Sequence, residues 1–314
     1  MLIKIDTPHK LLRHDDPFAD AASFPNLELR FERHTGILWK YIAPQATPHF
    51  SHELLDDIRR VQDRIRSHEW GGQASDTPVK YVVFASRIPG VYSLGGDLRL
   101  FRRLIAARNR AELMRYARKA TDAVYHHASN TGHTMSFSLV RGVAMGGGFE
   151  AALAGNVLVA EEGSRMGFPE VLFGLFPGMG AYTFLRRRVD AMTAEKIILS
   201  ARNYRAEELH EMGVVDVLCP AGEGEATIRS HVSRQASRPG AIAFRQAIGR
   251  CRAVDRDELY SICDAWVETA LELPADCLRR IDRLIANQDR NFAAPHVAVS
   301  AAPTAARVPL ANAG

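Results

Sequence analysis

The chain has 314 residues, 46% of them hydrophobic and 24% charged, and its 40 basic and 36 acidic side chains leave a net charge of +4. That length buries a sizeable core in one large domain or two modest ones, and the composition excludes collagen-like, disulfide-scaffold and wholly disordered chains. So mild a charge gives no ground for a nucleic-acid partner, and any basic binding face has to be local. The four cysteines, Cys219, Cys251, Cys263 and Cys277, contain no C-x-x-C pair. They read as reduced thiols of a cytoplasmic protein rather than as zinc ligands or disulfides. The N-terminus mixes charges where a signal peptide needs an apolar run, and no uncharged apolar stretch approaches the ~18–20 residues of a membrane helix. The expectation is a soluble, cytoplasmic protein with no membrane contact.

Residues 1–26 read as a loosely attached N-terminal extension. The segments 27–33 and 36–42 alternate apolar and polar residues around Arg33-His34-Thr35-Gly36, which predicts a β-hairpin. Phe50, Leu54, Leu55, Ile58, Val61 and Ile65 recur at helical spacing and predict an amphipathic helix over 50–68. YVVFAS (81–86) is a short buried strand, followed by an irregular loop that opens into a long basic helix over 99–128. MSFSLV (135–140) is a second buried strand, then come the cluster Gly146-Gly147-Gly148, a short helix, and strand 156–160. Residues 166–188 begin as loop and turn helical after Gly180, and everything after Val217 to about 290 is helical in pattern. Strand, loop and helix in alternation predict an α/β protein with a mostly parallel sheet. The division is a core over 27–235, a helical C-terminal subdomain over 236–292, and a disordered tail over 293–314, where nine of 22 residues are alanine.

Two glycine-rich turns, Leu94-Gly95-Gly96-Asp97 and Met145-Gly146-Gly147-Gly148, each follow a buried strand and open a helix. A helix start offers unpaired N–H groups, and glycine lets a ligand approach them closely. Two such turns facing one point form an oxyanion hole, the device that stabilises an enolate or a tetrahedral thioester intermediate. For either turn alone, a simple tight turn explains the glycines as well. Glu150, in a helix otherwise built of Gly, Ala, Phe and Leu, and Glu170, after Phe168-Pro169 and before Val171-Leu172-Phe173, are the candidate acid and base. Apolar surroundings raise a carboxyl pKa and can leave one acid protonated beside one ionised base, although an acid at a helix start also has a plain electrostatic reason to be there.

Rival motifs fit less well. Gly146-Gly147-Gly148-Phe149-Glu150-Ala151 mimics a dinucleotide fingerprint, but Glu161 follows too soon to be its ribose-binding acid, and Glu150 would stand where a pyrophosphate needs positive potential. No G-x-S-x-G serine-hydrolase elbow occurs. His126 and His127 are adjacent, so on a helix they point apart and make no metal pair. No metal or cofactor is expected. The basic helix is the clearest electrostatic feature: eight Arg or Lys residues against Glu112 alone over 99–119 leave a local charge of +7. An ordinary solvated helix interlaces both signs, so this one reads as a face for an anionic partner.

The loop VYSLGGDLRLF, the block VRGVAMGGGFEAALAGNVLVAEEGSRMGFPEVLFGLFPGMGAYTFL and the later YRAEELHEMGVVDVLCP resemble the crotonase (enoyl-CoA hydratase/isomerase) superfamily over residues 27–235. Within it, IPGVYSLGGDLRLF, MGFPEVLFGLFPGMGAYTFL, the extended N-terminus and the helical C-terminus are most similar to the bacterial diffusible signal factor synthases. The resemblance implies a crotonase-like ββα superhelix core. It places Gly96 and Gly147 as oxyanion donors and Glu150 and Glu170 as the catalytic pair, with Glu170 ionised against C2 and Glu150 protonated against the leaving hydroxyl. Leu94, Gly95, Gly146 and Trp266 are the candidate substrate-binding residues; an acyl chain needs an apolar pocket, and the C-terminal helix with Trp266 and Leu271 is a candidate lid, which simple core packing explains as well. Coenzyme-A hydratases usually carry a basic residue just before the first oxyanion turn, whereas Pro89-Gly90-Val91 stands here.

That departure, with the basic helix, suits an acyl carrier protein docked on Arg99, Arg102, Arg103 and Arg110. The implied activity is dehydration of a 3-hydroxyacyl-carrier-protein to a cis-2-enoyl thioester, then hydrolysis to a free fatty acid signal for quorum sensing. A conventional hydratase or isomerase acting on coenzyme-A thioesters and a silent crotonase-fold binding protein remain the alternatives. The same resemblance implies a homo-oligomer, a trimer by preference, and contact with a signal receptor or sensor protein.

Overall fold

A computed structural model describes residues 24–66, 79–129, 134–236 and 253–293, with isolated positions between 237 and 252. Most of the expected N-terminal extension, nearly all of the expected tail, the last two residues of the expected helix 50–68 and Cys251 lie outside the described residues.

The predicted hairpin forms from β1 (Leu27–Glu32) and β2 (Ile37–Ile42), paired antiparallel from Leu27↔Ile42 to Glu32↔Ile37. Helix α1 (His52–Arg66) leads to β3 (Tyr81–Ser86), which pairs parallel with β2. Strands β5 (Met135–Val140), β7 (Val157–Glu161) and β10 (Val217–Cys219) complete a sheet of order β1-β2-β3-β5-β7-β10, parallel after the hairpin. The parallel strands are covered on both faces, so alternation sends side chains to two cores instead of to core and water. Ile37, Trp39 and Tyr41 of β2 join Val83, Phe137 and Val159 against α8 (Gly224–Ala236), where Ile228 and Val232 meet them. Leu38 and Ile42 join the larger core with Val82, Phe84 and Leu158.

A second, four-stranded sheet consists of strands only three residues long: β4 (Val91–Ser93), β6 (Val143–Met145), β8 (Arg165–Gly167) and β9 (Asn203–Arg205), in the order β4-β6-β8-β9. The sequence reading took β4 for irregular loop and did not see the other three. Its C-terminal reading needs a small change too, since Val217 starts strand β10 before the helices begin. The two sheets explain the architecture. Each of β3, β5 and β7 runs into a short strand of the second sheet and then a helical turn: β3-β4-α2 (Leu98–Ala106), β5-β6-α4 (Gly147–Leu153), and β7-β8 followed by a 3₁₀ turn at Glu170–Phe173. This repeated ββα unit is the expected superhelical core, an α/β fold. Because β4, β6 and β8 are parallel neighbours, the segments leaving them end side by side.

The long basic helix is two helices. α2 stops at Ala106, and α3 (Arg110–Ser129) starts after Arg108, whose positive φ of 49° breaks the hydrogen-bond ladder. Beyond the 3₁₀ turn come α5 (Ala181–Leu185), α6 (Ala191–Leu199) and α7 (Ala206–Glu211). The chain then returns over the core as α9 (Arg256–Leu271) and α10 (Ala275–Ala293). Leu259, Cys263, Trp266, Val267 and Ala270 give α9 one buried stripe, which lies on α3.

This return corrects the electrostatic reading. Arg99 pairs with Asp289, Arg102 with Asp282 at 3.0 Å, Arg110 with Glu268 and Arg118 with Asp264 at 2.6 Å. The arginines of α2 and α3 therefore interlace with carboxylates from α9 and α10, brought in from more than 140 residues away. Arg103 is exposed. Four of the eight cations of the expected one-sign face are thus tied into a helix–helix seam. Among the described residues no helix is long and apolar enough to cross a membrane.

Candidate active site

The turns after β4 and β6 are in contact. A Cβ built on Gly95, whose φ is +86°, would stand 2.8 Å from the Gly147 nitrogen and 2.7 Å from the Met145 carbonyl oxygen. Only glycine allows that approach. The Gly147 amide is aimed by its own helix: Gly146 C=O accepts N–H bonds from Phe149 (2.8 Å) and Glu150 (3.0 Å). A trans peptide puts its N–H opposite its C=O, so the Gly147 N–H points out of the N-terminal end of α4. Gly96 lies across from it, with its nitrogen 3.5 Å from where a Gly147 Cβ would be. The two predicted oxyanion donors are thus brought together.

Glu150 and Glu170 reach the same point from α4 and from the 3₁₀ turn. Glu150 is 1% exposed, and its Oε1 accepts the Met179 N–H at 2.7 Å and the Ala181 N–H at 2.9 Å. Glu170 sits directly over Gly146, where an added Cβ would lie 2.3 Å from its Oε1. As a residue Glu170 is only half-buried, but its Oε2 is sealed from solvent and has no hydrogen-bond partner among the described residues. Burial pushes both carboxyls up. Glu150 rises to about 7, because desolvation outweighs the backbone donors that favour its charged form. Glu170 rises well above the usual carboxylate range through desolvation and the charge of nearby Glu150. The Met179 and Ala181 amides favour the charged form of Glu150, and Glu170 Oε2 has no such donor among the described residues, so the geometry favours ionisation at Glu150. The partition expected from the sequence, with Glu150 protonated and Glu170 ionised, is the one from which dehydration would start.

Both carboxyls open into a cavity of about 330 Å³ whose walls include Leu98, Phe101, Tyr116, Phe173, Trp266 and Leu284. Leu94, Gly96, Gly146 and Gly147 line it as well, whereas Gly95 stands behind them, packed on the second turn. Trp266 is buried and meets the Phe101 ring edge-on at 5.0 Å. The cavity's covering helices, α9 and α10, belong to the same chain. Sequence reasoning missed Tyr116 and the Met179 and Ala181 amides. A tyrosine in an arginine-rich helix gives no warning that it faces inward, but the glycines flanking Met179 are a sign that backbone is offered there.

Two amide donors and two carboxyls stand together at the head of an apolar cavity, an arrangement that can hold an oxyanion and move protons beside it. The family model for enoyl-CoA hydratase/isomerase matches residues 44–259, and the chain belongs to that family. It is similar to the mitochondrial methylglutaconyl-CoA hydratase of Mus musculus, 28% identical over 200 residues that cover 63% of this chain and 59% of that one. The match thus leaves a substantial part of the relative's length unspanned. Among solved structures it resembles enoyl-CoA hydratase from Bacillus halodurans, with a TM-score of 0.69 at 15% identity over 82% of this chain and 99% of the other. It also resembles DspI of Pseudomonas aeruginosa, with a TM-score of 0.58 at 23% identity over 72% of this chain and 79% of the other. At those identities the structural likeness speaks for the fold alone.

Proposed function

We propose that the protein interconverts 2-enoyl and 3-hydroxyacyl thioesters, with the acyl chain in the cavity walled by Trp266 and Leu284. The observation that carries this reading is the unequal pair of carboxyls beside the amide donors of Gly96 and Gly147. The thioester oxygen lies between the N–H groups of Gly96 and Gly147. In the hydration direction ionised Glu150 takes a proton from water as the water oxygen bonds to C3, and Glu170 gives its proton to C2. The negative charge of the enolate rests in the hole. Dehydration is the same path reversed and starts with the proton on Glu150 and Glu170 ionised. Coenzyme A is the carrier favoured by the family and by the named relatives.

A second reading keeps this chemistry and adds an exit: dehydration of a 3-hydroxyacyl-carrier-protein, then thioester hydrolysis to a free cis-2-unsaturated fatty acid used as a quorum-sensing signal. Two features favour it. A carboxylate that ionises near neutrality stands beside the hole, placed to direct water onto the carbonyl as well as onto C3. The segment Pro89-Gly90-Val91 offers no cation before the first turn. Docking of a carrier protein on the arginines of α2 and α3 requires it to compete with Asp264, Glu268, Asp282 and Asp289 for them. Purified protein given matched 3-hydroxyacyl thioesters of coenzyme A and of acyl carrier protein separates the readings. Enoyl thioester as the final product on coenzyme A supports the first, and free unsaturated acid from carrier protein supports the second.

A further inference from the structure

The turn that carries Gly96 is held from behind by a device that the sequence gives no hint of, and its meaning rests on the reading of Gly96 as an oxyanion donor. Of the four amides from Leu94 to Asp97, three are committed. Leu94 N–H donates to the Pro48 carbonyl at 2.7 Å, Gly95 N–H to Ser93 Oγ at 3.1 Å, and Asp97 N–H to the Tyr116 hydroxyl oxygen at 3.2 Å. The Gly96 N–H has no acceptor among the described residues.

Its direction is fixed through the other end of its own peptide. Gly95 C=O accepts the Phe50 N–H at 2.8 Å, and a planar trans peptide must then send the Gly96 N–H the opposite way. Phe50 is itself gripped on its far side, because its C=O accepts the Tyr116 O–H at 2.5 Å. The Tyr116 hydroxyl thus bridges Phe50 and Asp97 and closes a ring of bonds around the Gly95–Gly96 peptide. The phenol ring is held by edge contacts to Phe101 and His52, each at 5.2 Å between centroids. Tyr116 is 2% exposed, and burial keeps its phenol protonated and able to donate.

We infer that Tyr116 is a positioning residue of the oxyanion hole: its hydroxyl, acting through Phe50 and Asp97, holds the Gly96 N–H on the thioester oxygen. The hydroxyl donates to Phe50 and accepts from Asp97, so its effect on the reaction passes through the turn. A hydrogen-bond donor turned away by tens of degrees loses most of its transition-state value while the substrate tail binds as before. Loss of the clamp therefore falls on kcat and spares KM.

Tyr116→Phe keeps the ring and the cavity wall and deletes only the bridge. Asp57→Asn is the comparison, since that carboxylate holds Asn26 at 2.9 Å and takes no part in the site. Three measurements are made on each full-length variant: kcat and KM with a 2-enoyl coenzyme-A thioester, the absorbance shift of bound hexadienoyl-coenzyme A, which reports polarisation of the carbonyl, and amide hydrogen exchange without ligand. Tyr116→Phe is expected to lower kcat about ten- to hundredfold with KM changed less than about threefold, part of the effect of removing a donor outright. It should also shrink the absorbance shift and speed exchange over Phe50 and Leu94–Asp97. Asp57→Asn should leave all three at wild-type values. Wild-type kcat and absorbance shift in Tyr116→Phe, or equal losses in both variants, would overturn the role. If the wild-type protein turns over no thioester, the proposed function fails; the clamp is then judged by exchange alone, and unchanged exchange in Tyr116→Phe overturns it.

Discussion

Replacing Glu150 by glutamine tests the physical state of the site without any substrate. The Glu150 carboxyl titrates at about 7 in the folded protein against 4.5 for the free side chain. Below the lower value both states hold the proton, and the group has no effect on stability. Between the two values the unfolded chain releases the proton and the folded chain retains it, so folding stability falls as pH rises. Above about 7 the full penalty stands, and at ~1.4 kcal/mol per pH interval crossed it comes to about 3 kcal/mol. Glutamine removes the titration and keeps an Oε1 to accept the Met179 and Ala181 amides. Relief of the charge that bears on Glu170 acts in the same direction. Glu150→Gln should thus match the wild type at pH 4.5 and exceed it by about 3 kcal/mol at pH 8, while its turnover is lost. Urea denaturation at the two pH values reads the difference. Parallel stability curves for the two proteins would refute the claim that this carboxyl is held against its charge.

The same titration sets the rate. Hydration of an enoyl thioester should rise as pH passes through about 7 and Glu150 ionises; a pH profile of kcat/KM checks this. Gly147→Val should lower turnover on the order of 10²–10³-fold with the fold kept, because the new side chain meets Met179 Sδ and crowds the Gly96 nitrogen; circular dichroism and kinetics together decide it. Reversing charge at Arg102 and Arg110 sets like charges against Asp282 and Glu268 on the helices that cover the cavity. Equal losses on a carrier-protein thioester and a small N-acetylcysteamine thioester are expected, whereas a loss confined to the carrier protein would make this seam a docking surface.

The elements that the sequence discloses are those whose pattern is complete within a few residues. β3, β5 and β7 are apolar runs bounded by turn residues, β2 is half of an alternating hairpin, and α1 carries five of the six apolar positions read at helical spacing, Phe50 lying just before it. β4, β6, β8 and β9 have three residues each, too few to show a period, and they exist through their pairing with one another. That second sheet is what brings Gly96, Gly147 and Glu170 together, so residue types could suggest the site but only the topology assembles it. The basic helix misled for a related reason. Local charge counts see neighbours in sequence, and the acids that answer Arg99, Arg102, Arg110 and Arg118 come from the other end of the chain. The proton partition was illegible as well, since it depends on amides of Met179 and Ala181 that side-chain identity does not reveal.

The central claim is that Glu150 and Glu170 move protons at C2 and C3 of an acyl chain whose thioester oxygen lies between Gly96 and Gly147. It is tested most directly by turnover in deuterium oxide, with mass spectrometry of the products from a ladder of 2-enoyl thioesters of increasing chain length. The wild-type protein should yield 3-hydroxyacyl thioesters with one deuterium at C2, best for chains long enough to reach Trp266 and Leu284, and neither Glu150→Gln nor Glu170→Gln should do so. No deuterium at C2 across the whole ladder, or undiminished incorporation in either variant, would contradict it.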